Sequence, residues 1–597
     1  MSPSPPRTAA APGIRPERER TLQAVQERHP WVMAPVGWID AAATPRRVAA
    51  LLFPRHERAA NRFQHALRPE TIRIARLIRA LTAPWRRLRG LVLDRFPALI
   101  GPTWWVRQTI WSAIWGVLVL YRLRPKRPPV PISEPPIDLI SAPDSAPDFA
   151  APACMVPGDV PLAESTVFGE MAVEILHFLQ DLYPIDTTHQ PPASWDPAER
   201  LAQTYPPIFR AIRRPPRWHP DLARAAAEGR LLAVLAVGGP FAKYLERVGD
   251  DDYRIDLSFH HEFPVRPGLA RIGCIIHYRR EGRGLEVTAV DYGGRTTVPG
   301  DPEWEFVERV ALCTLLTHTL VWRHGMQYHV GGVAPVAVVT HNLPPRHPIR
   351  RLLAAHTAET ISTNFFTELT LRRSGFDVTG LSFDPVTINH FYDAGARHFD
   401  LRRLDVPGDA ERRGLPGDLD YPYLAHARRY WDLIEAYVAA YVAIYYPDDE
   451  SLAADAAART WFDALDRHFT RGIRYYVPEL TVAGLVRFCT VFIYAVTVEH
   501  EQNTMWDYAA FLPTKVPADG GPQSVGEVQL TMNFQVLISL ATNRLMHDFS
   551  HLALDERAAA VMRRFTAELA VLQAEVAEMP DTYWQVVPAT LEASVSA

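Results

Sequence analysis

Histidines at helix-like intervals are the residues of this chain best suited to metal chemistry. His324 and His329 stand five residues apart, and His500 follows the apolar stretch 485–498. On a regular α-helix a five-residue step turns the chain by about 140°, so the first two could share one metal only if a π-bulge drew them together. Imidazole is a natural ligand of iron, zinc or copper. Spacing alone leaves open the alternative that these histidines are structural or surface residues.

A second candidate group surrounds His500. Asn503 and Thr504 follow it at the third and fourth positions, which places all three on one face of a helix. An apolar helix that delivers a histidine together with an amide or a hydroxyl could form half of a metal site. The alternative is a helix end whose polar groups only cap the backbone.

Five segments of the chain, in order, resemble the lipoxygenase family. The longest match is histidine-rich and consists of His324, His329, His347-Pro348, Leu352-Leu353, His356 and Asn364. The other matches are residues 285–310, residues 417–455, the apolar helix that ends at His500 and the terminal sequence YWQVVPATLEASVSA. The resemblance covers roughly residues 165–597 and implies a catalytic domain there.

The fold that the resemblance implies is mainly α, a lipoxygenase-type large helical domain with a small β subregion. The residues themselves place the β subregion at 230–300, where short apolar runs such as RLLAVLAVGG and RIGCIIHY are separated by Gly and Asp. Helical patterns dominate from Trp304 to 375 and again from Tyr423 onward.

The resemblance also implies one non-haem iron ion, cycling between Fe2+ and Fe3+. The implied metal ligands are His318, His324, His500, Asn503, Thr504 and the terminal carboxylate of Ala597. Through the metal, His324, His500 and Ala597 are the residues expected to be catalytic.

The ligand pattern departs from that of the family at two places. The family's first iron histidine falls on Thr319, and His318 stands one position early. A slipped alignment that pairs His324 with His329 therefore stays open. Near the second helix, the choice between Asn503 and Thr504 also stays open.

The activity that the resemblance implies is dioxygenation. The substrates are a polyunsaturated fatty acid or related lipid and O2, and the product is a lipid hydroperoxide. Two alternatives remain: a lipoxygenase-like hydroperoxide isomerase or enzyme acting on a non-fatty substrate, and a metal-free scaffold that keeps the fold.

The N-terminal part of the chain is strongly basic. Residues 1–130 contain 23 Lys and Arg against 7 Asp and Glu, a net +16, whereas the whole chain carries −4. We expect disorder over 1–25, a basic helical segment over 26–125 and a proline-rich linker over 126–164. The Trp-rich and Arg-rich stretch 98–127 predicts peripheral membrane contact, with packing on the main domain as the alternative.

Nucleic acid is not expected as a partner, because no nucleic-acid motif accompanies the basic charge. The four widely spaced cysteines and the absence of an apolar leader segment indicate a cytoplasmic protein, in peripheral contact with a membrane if the Trp-rich stretch binds one.

Overall fold

Helices make up most of the computed structural model, and one small antiparallel sheet accompanies them. The structure describes most of residues 77–99, residues 191–205 and, with short gaps, residues 217–360 and 381–595, the latter except for most of 384–397, 501–505 and nearly all of 526–543. The predictions for 1–25, for the linker 126–164 and for nearly all of 98–127 lie outside the described residues. The mainly α fold class with a small β subregion is confirmed.

The sheet is a five-stranded meander in which each strand pairs with the next. Its strands are β1 Glu246–Arg247, β2 Asp252–Asp256, β3 Ile275–Glu281, β4 Gly284–Tyr292 and β5 Arg295–Thr297. Alternate residues such as Tyr253, Ile255 and Ile276 are buried, which is the period-two pattern of a sheet with one face on a core. The run RLLAVLAVGG, expected within the β region, instead forms a short helix over Leu231–Leu235, so that part of the prediction was wrong.

Residues 197–357 contribute helices α1 to α6. They are α1 Pro197–Thr204, α2 Pro220–Ala227, α3 Leu231–Leu235, α4 Trp304–Thr317, α5 Ala334–His341 and α6 Pro348–Thr357. Between α4 and α5 the chain stays helical but changes to a π-helix, π1, over His318–Val333. An unbroken helical rod thus runs from 304 to 341.

Residues 406–578 contribute helices α7 to α13. They are α7 Val406–Arg412, α8 Pro422–Tyr445, α9 Asp449–Ala454, α10 Ala456–His468, α11 Val482–Tyr494, α12 Trp506–Phe511 and α13 Glu556–Glu578. Helix α11 continues into a second π-helix, π2, over Ala495–Glu499. The helical stretch Val482–Glu499 is apolar and long enough to cross a membrane, but 72% of it is buried inside the protein. We therefore interpret it as a core helix.

A single large apolar cluster holds the helices of the second half against π1 and π2. Helix α8 lies between α11 and α13, with the rings of Tyr437 and Phe565 stacked at a centroid distance of 4.3 Å. The chain after α13 turns back into this cluster, where Leu591 and Val595 are fully buried.

Candidate metal centre

Three buried histidines meet where π1 faces π2. The Nε2 atom of His324 lies 2.8 Å from that of His500 and 3.1 Å from that of His329, and the last two Nε2 atoms are 3.2 Å apart. Each side chain is at most 6% exposed. Among the described residues, this triad is the only group of three His, Cys, Asp or Glu side chains close enough to hold one metal ion.

The π-helix explains how two of these histidines come together. Its backbone hydrogen bonds run over five residues, so side chains five apart stack on one side as side chains four apart do on an α-helix. His324 and His329 are five apart and both lie inside π1. The spacing that is poor for two ligands on a regular helix is therefore suited to this one.

The distances within the triad fit a metal ion. Imidazole nitrogens about 2.1 Å from one ion, at angles of about 90–100°, stand about 3.0–3.2 Å apart. The observed contacts of 3.1 and 3.2 Å fall in that range, and the 2.8 Å contact between His324 and His500 is slightly shorter.

Hydrogen bonds alone cannot satisfy the three facing nitrogens. Each Nε2 either carries a proton or does not, so at least two of the three are alike. At least one side of the triangle then sets lone pair against lone pair or N–H against N–H. A cation that accepts three lone pairs removes this conflict.

The surroundings keep the imidazoles in the form that binds metals. Burial, together with the neighbouring histidines, holds the pKa of His324 well below its usual range, and burial followed by the nearby His329 does the same for the pKa of His500. A neutral imidazole offers a lone pair, which a protonated one lacks.

His318, the expected partner of His324, is placed elsewhere. Its Nδ1 lies 2.9 Å from Nε2 of His260, and its ring stacks on that of Trp322. The neighbouring Thr319, at the family's first histidine position, exchanges a 2.8 Å hydrogen bond with the hydroxyl of Tyr244. The structure thus brings together the slipped pair, whereas His318 belongs to a separate buried pair.

The other expected ligands, Asn503, Thr504 and Ala597, lie outside the described residues. The tail that leads to Ala597 is described up to Val595, and residues 591–595 are all buried.

Two histidines of the matched run hold other parts of the chain in place. His356 shares a 2.8 Å hydrogen bond through Nδ1 with the carbonyl oxygen of Ala593, and Ser594 donates to the carbonyl of Ala358 at 2.9 Å. These bonds fix the C-terminal tail against the end of α6. His347 caps the start of α6 and contacts the carboxylate of Asp455 at 3.1 Å.

A buried charged cluster, which sequence reasoning missed, lies directly behind the triad. The residue before each triad histidine takes part: Arg323, Tyr328 and Glu499. Arg323 donates to the Tyr328 hydroxyl at 3.3 Å and lies 3.8 Å from the Glu499 carboxylate. Lys243, from the turn Ala242–Tyr244, donates to Glu499 at 3.2 Å.

This cluster joins three elements that carry or border the triad: π1, π2 and the turn before β1. Its charges are removed from water, so each depends on the others for stabilisation. Burial lowers the pKa of Lys243 to about 7, although Glu499 opposes that shift. The only sequence signal was the charged or polar residue beside each histidine, and nothing linked Lys243 to them across the chain.

The chain resembles known proteins in sequence. Residues 396–519 match a model of the lipoxygenase family. Over 360 residues the chain is 27% identical to the manganese lipoxygenase of Pleurotus sapidus, a match that covers 54% of this chain and 56% of that protein. Over 262 residues it is 24% identical to hydroperoxide isomerase ALOXE3 of Homo sapiens, covering 42% and 37%. The matches thus span from about a third to just over half the length of these relatives.

Solved structures share the fold. A calcium-dependent 11R-lipoxygenase superposes with a TM-score of 0.60 at 17% identity, over 75% of each chain. A coral 8R-lipoxygenase gives a TM-score of 0.61 at 13% identity, over 74% of this chain and 76% of that one. At these identities the likeness concerns the fold alone.

Proposed function

The chain belongs to the lipoxygenase family, and we propose that it is a metal-dependent dioxygenase that adds O2 to a polyunsaturated fatty acid. The product is a lipid hydroperoxide. The observation that carries the proposal is the convergence of the Nε2 atoms of His324, His329 and His500 in a buried site. A metal-free scaffold would have no need of three nitrogens in such mutual conflict.

The three imidazoles hold the metal in this proposal, and the carboxylate of Ala597 and one of Asn503 or Thr504 complete its ligands. The buried tail at 591–595 and its bonds to α6 support a C-terminal ligand, because they bring the chain into the core two residues before Ala597. The bound metal supplies one-electron oxidation of the substrate's diene.

The rest of the chain orients the ligands and excludes water. π1 fixes the angle between His324 and His329, and the charged cluster ties the backbone next to each histidine. Val333, Val496 and Val498, from the two π-helices, belong to the main apolar cluster, so the triad borders a core from which water is excluded.

We propose iron as the metal, following the family resemblance. The relative from Pleurotus sapidus is named a manganese lipoxygenase, and neutral imidazoles with a carboxylate suit Mn2+ as well as Fe2+. Elemental analysis of protein produced with both metals in the medium distinguishes them. Close to one iron per chain is expected, and full zinc occupancy or no metal would contradict the proposal.

The activity test uses linoleate, which has a 1,4-diene, and oleate, which does not. We expect O2 uptake and conjugated-diene formation with linoleate alone. Metal-loaded protein that consumes no O2 with linoleate or other polyunsaturated fatty acids would contradict the dioxygenase assignment.

Hydroperoxide isomerisation is the second candidate, favoured by the match to hydroperoxide isomerase ALOXE3. The two activities differ in their need for O2. Under anaerobic conditions an isomerase consumes added linoleate hydroperoxide, because that reaction needs no O2. A dioxygenase forms no product from linoleate under the same conditions, because it needs O2 as a substrate. Rapid hydroperoxide loss without any O2 uptake from linoleate would favour the isomerase.

A further inference from the structure

An exposed apolar stripe runs along the helix that the structure describes in part over 77–95. Its large side chains face solvent: Leu77, Leu81, Trp85, Leu88, Leu91 and Val92. Within the described residues, eight of the twelve exposed large apolar side chains lie between 77 and 99. Such a concentration on one short segment marks an interaction surface.

The stripe occupies one side of the helix. At about 100° per residue, its six members fall within an arc of about 120°. Leu93 lies about 140° from the centre of that arc and is only 3% exposed. Among the described residues of this helix, Leu93 is thus the one that is buried, while the stripe faces outward.

Arginines border the stripe on both edges. Arg87 and Arg89 lie about 40° beyond its two edges by the same helical geometry, and Arg95, at the end of the helix, falls within its arc. Residues 68–95 contain eight Arg against one Glu and one Asp, a net +6. A long Arg side chain can keep its charge among lipid headgroups while the apolar side chains beside it enter the acyl boundary.

We propose that this stripe binds the surface of an anionic lipid bilayer. The inference is independent of the proposed catalytic function. Charge selects this partner over a symmetric pairing with the same face of a second copy, because two such basic faces would repel each other. The arginines also exclude a membrane span, so the helix lies in the plane of the interface, where Trp85 suits the boundary between headgroups and chains.

The test is flotation of the full-length protein with vesicles of phosphatidylcholine, with or without phosphatidylserine. We expect binding to the phosphatidylserine vesicles that decreases as salt is raised. The double variant Leu81→Asp/Leu88→Asp should lower vesicle affinity about tenfold or more, because two apolar anchors become charged. Val571→Asp is the matched control, since Val571 is 59% exposed on α13, far along the chain from the stripe.

Folding is checked separately by circular dichroism and thermal melting, which exposed substitutions should leave nearly unchanged. A second variant, Arg87→Glu/Arg89→Glu, should abolish the preference for phosphatidylserine. Equal flotation of wild type and the Leu81→Asp/Leu88→Asp variant would overturn the proposal. So would wild-type protein that ignores both vesicle types but forms a dimer that the same variant dissociates, because the occupant would then be a second copy.

Discussion

Replacing His329 by alanine should remove the metal, whereas the same change at His318 should not. Both histidines lie on π1 and are nearly fully buried, so the two variants delete the same side chain from similar surroundings. They differ in what the ring contacts. His329 faces the Nε2 atoms of His324 and His500, but His318 faces His260.

The size of the effect follows from the ligand count. Sites with four protein ligands bind zinc with a binding free energy of about 10–16 kcal/mol, or roughly 2.5–4 kcal/mol for each ligand. At about 1.4 kcal/mol per tenfold, losing the His329 ligand lowers metal affinity by about 100- to 1000-fold. His318→Ala removes no ligand, and its cost is to stability: the 2.9 Å bond to His260 is lost, for about 1–3 kcal/mol, and a small cavity is left.

The assay is competition for metal with a chelator of known affinity, combined with urea unfolding of both metal-free proteins. The two variants should be similarly destabilised without metal, and only His329→Ala should lose affinity. If His318→Ala released the metal while His329→Ala retained it, the triad would be the wrong ligand set. Retention by both variants would place the metal elsewhere.

Three further predictions concern the residues around the triad. Glu499→Gln should destabilise the metal-free protein by about 3–5 kcal/mol in urea unfolding, because Arg323 and Lys243 lose their buried carboxylate. The exposed control Glu556→Gln should change stability little, and equal effects of the two variants would contradict the prediction. Burial lowers the pKa of Lys243 to about 7, so between pH 7 and 10 the unfolded chain binds more protons than the folded one, and the free energy of unfolding should rise with pH. Lys243→Met should flatten that rise, and an unchanged slope would show that Lys243 is not its source. One glycine appended after Ala597 should lower the metal content, since it moves the terminal carboxylate by up to about 3.5 Å. Ala597→Ile keeps the carboxylate in place and should keep the metal. A full metal content in the extended protein would show that Ala597 is not a ligand.

Much of the fold could be predicted because long helical patterns and ordered family segments are strong signals. The short run 230–239 could not, since a brief apolar stretch has no period that separates a strand from a buried helix. Its apolar residues serve the same core in either state: Leu232 and Leu235 pack in the cluster that contains the buried side of the sheet.

The pairing of the two histidines on π1 could be predicted from the sequence only on one condition. The five-residue spacing of His324 and His329 required a π-type distortion, and the sequence could state that requirement without deciding whether the chain meets it. The position of His318 could not be foreseen, because its partner His260 lies 58 residues earlier, on a separate element. Contacts of this kind depend on tertiary packing, which local spacing does not encode.

Two rows of side chains support the π-helical hydrogen-bond register of π1. Five-residue stacking that aligns His324 with His329 must also align Arg323 with Tyr328, one position earlier, and that pair is in contact at 3.3 Å. Glu499, the last residue of π2, and His500, which follows it, are likewise neighbours, and each meets the matching row of π1. The charged row and the histidine row therefore share one backbone geometry. A change that rewound π1 to an α-helix would separate His324 from His329 and shift Arg323 against Tyr328, so the buried cluster favours the register that the proposed metal site needs.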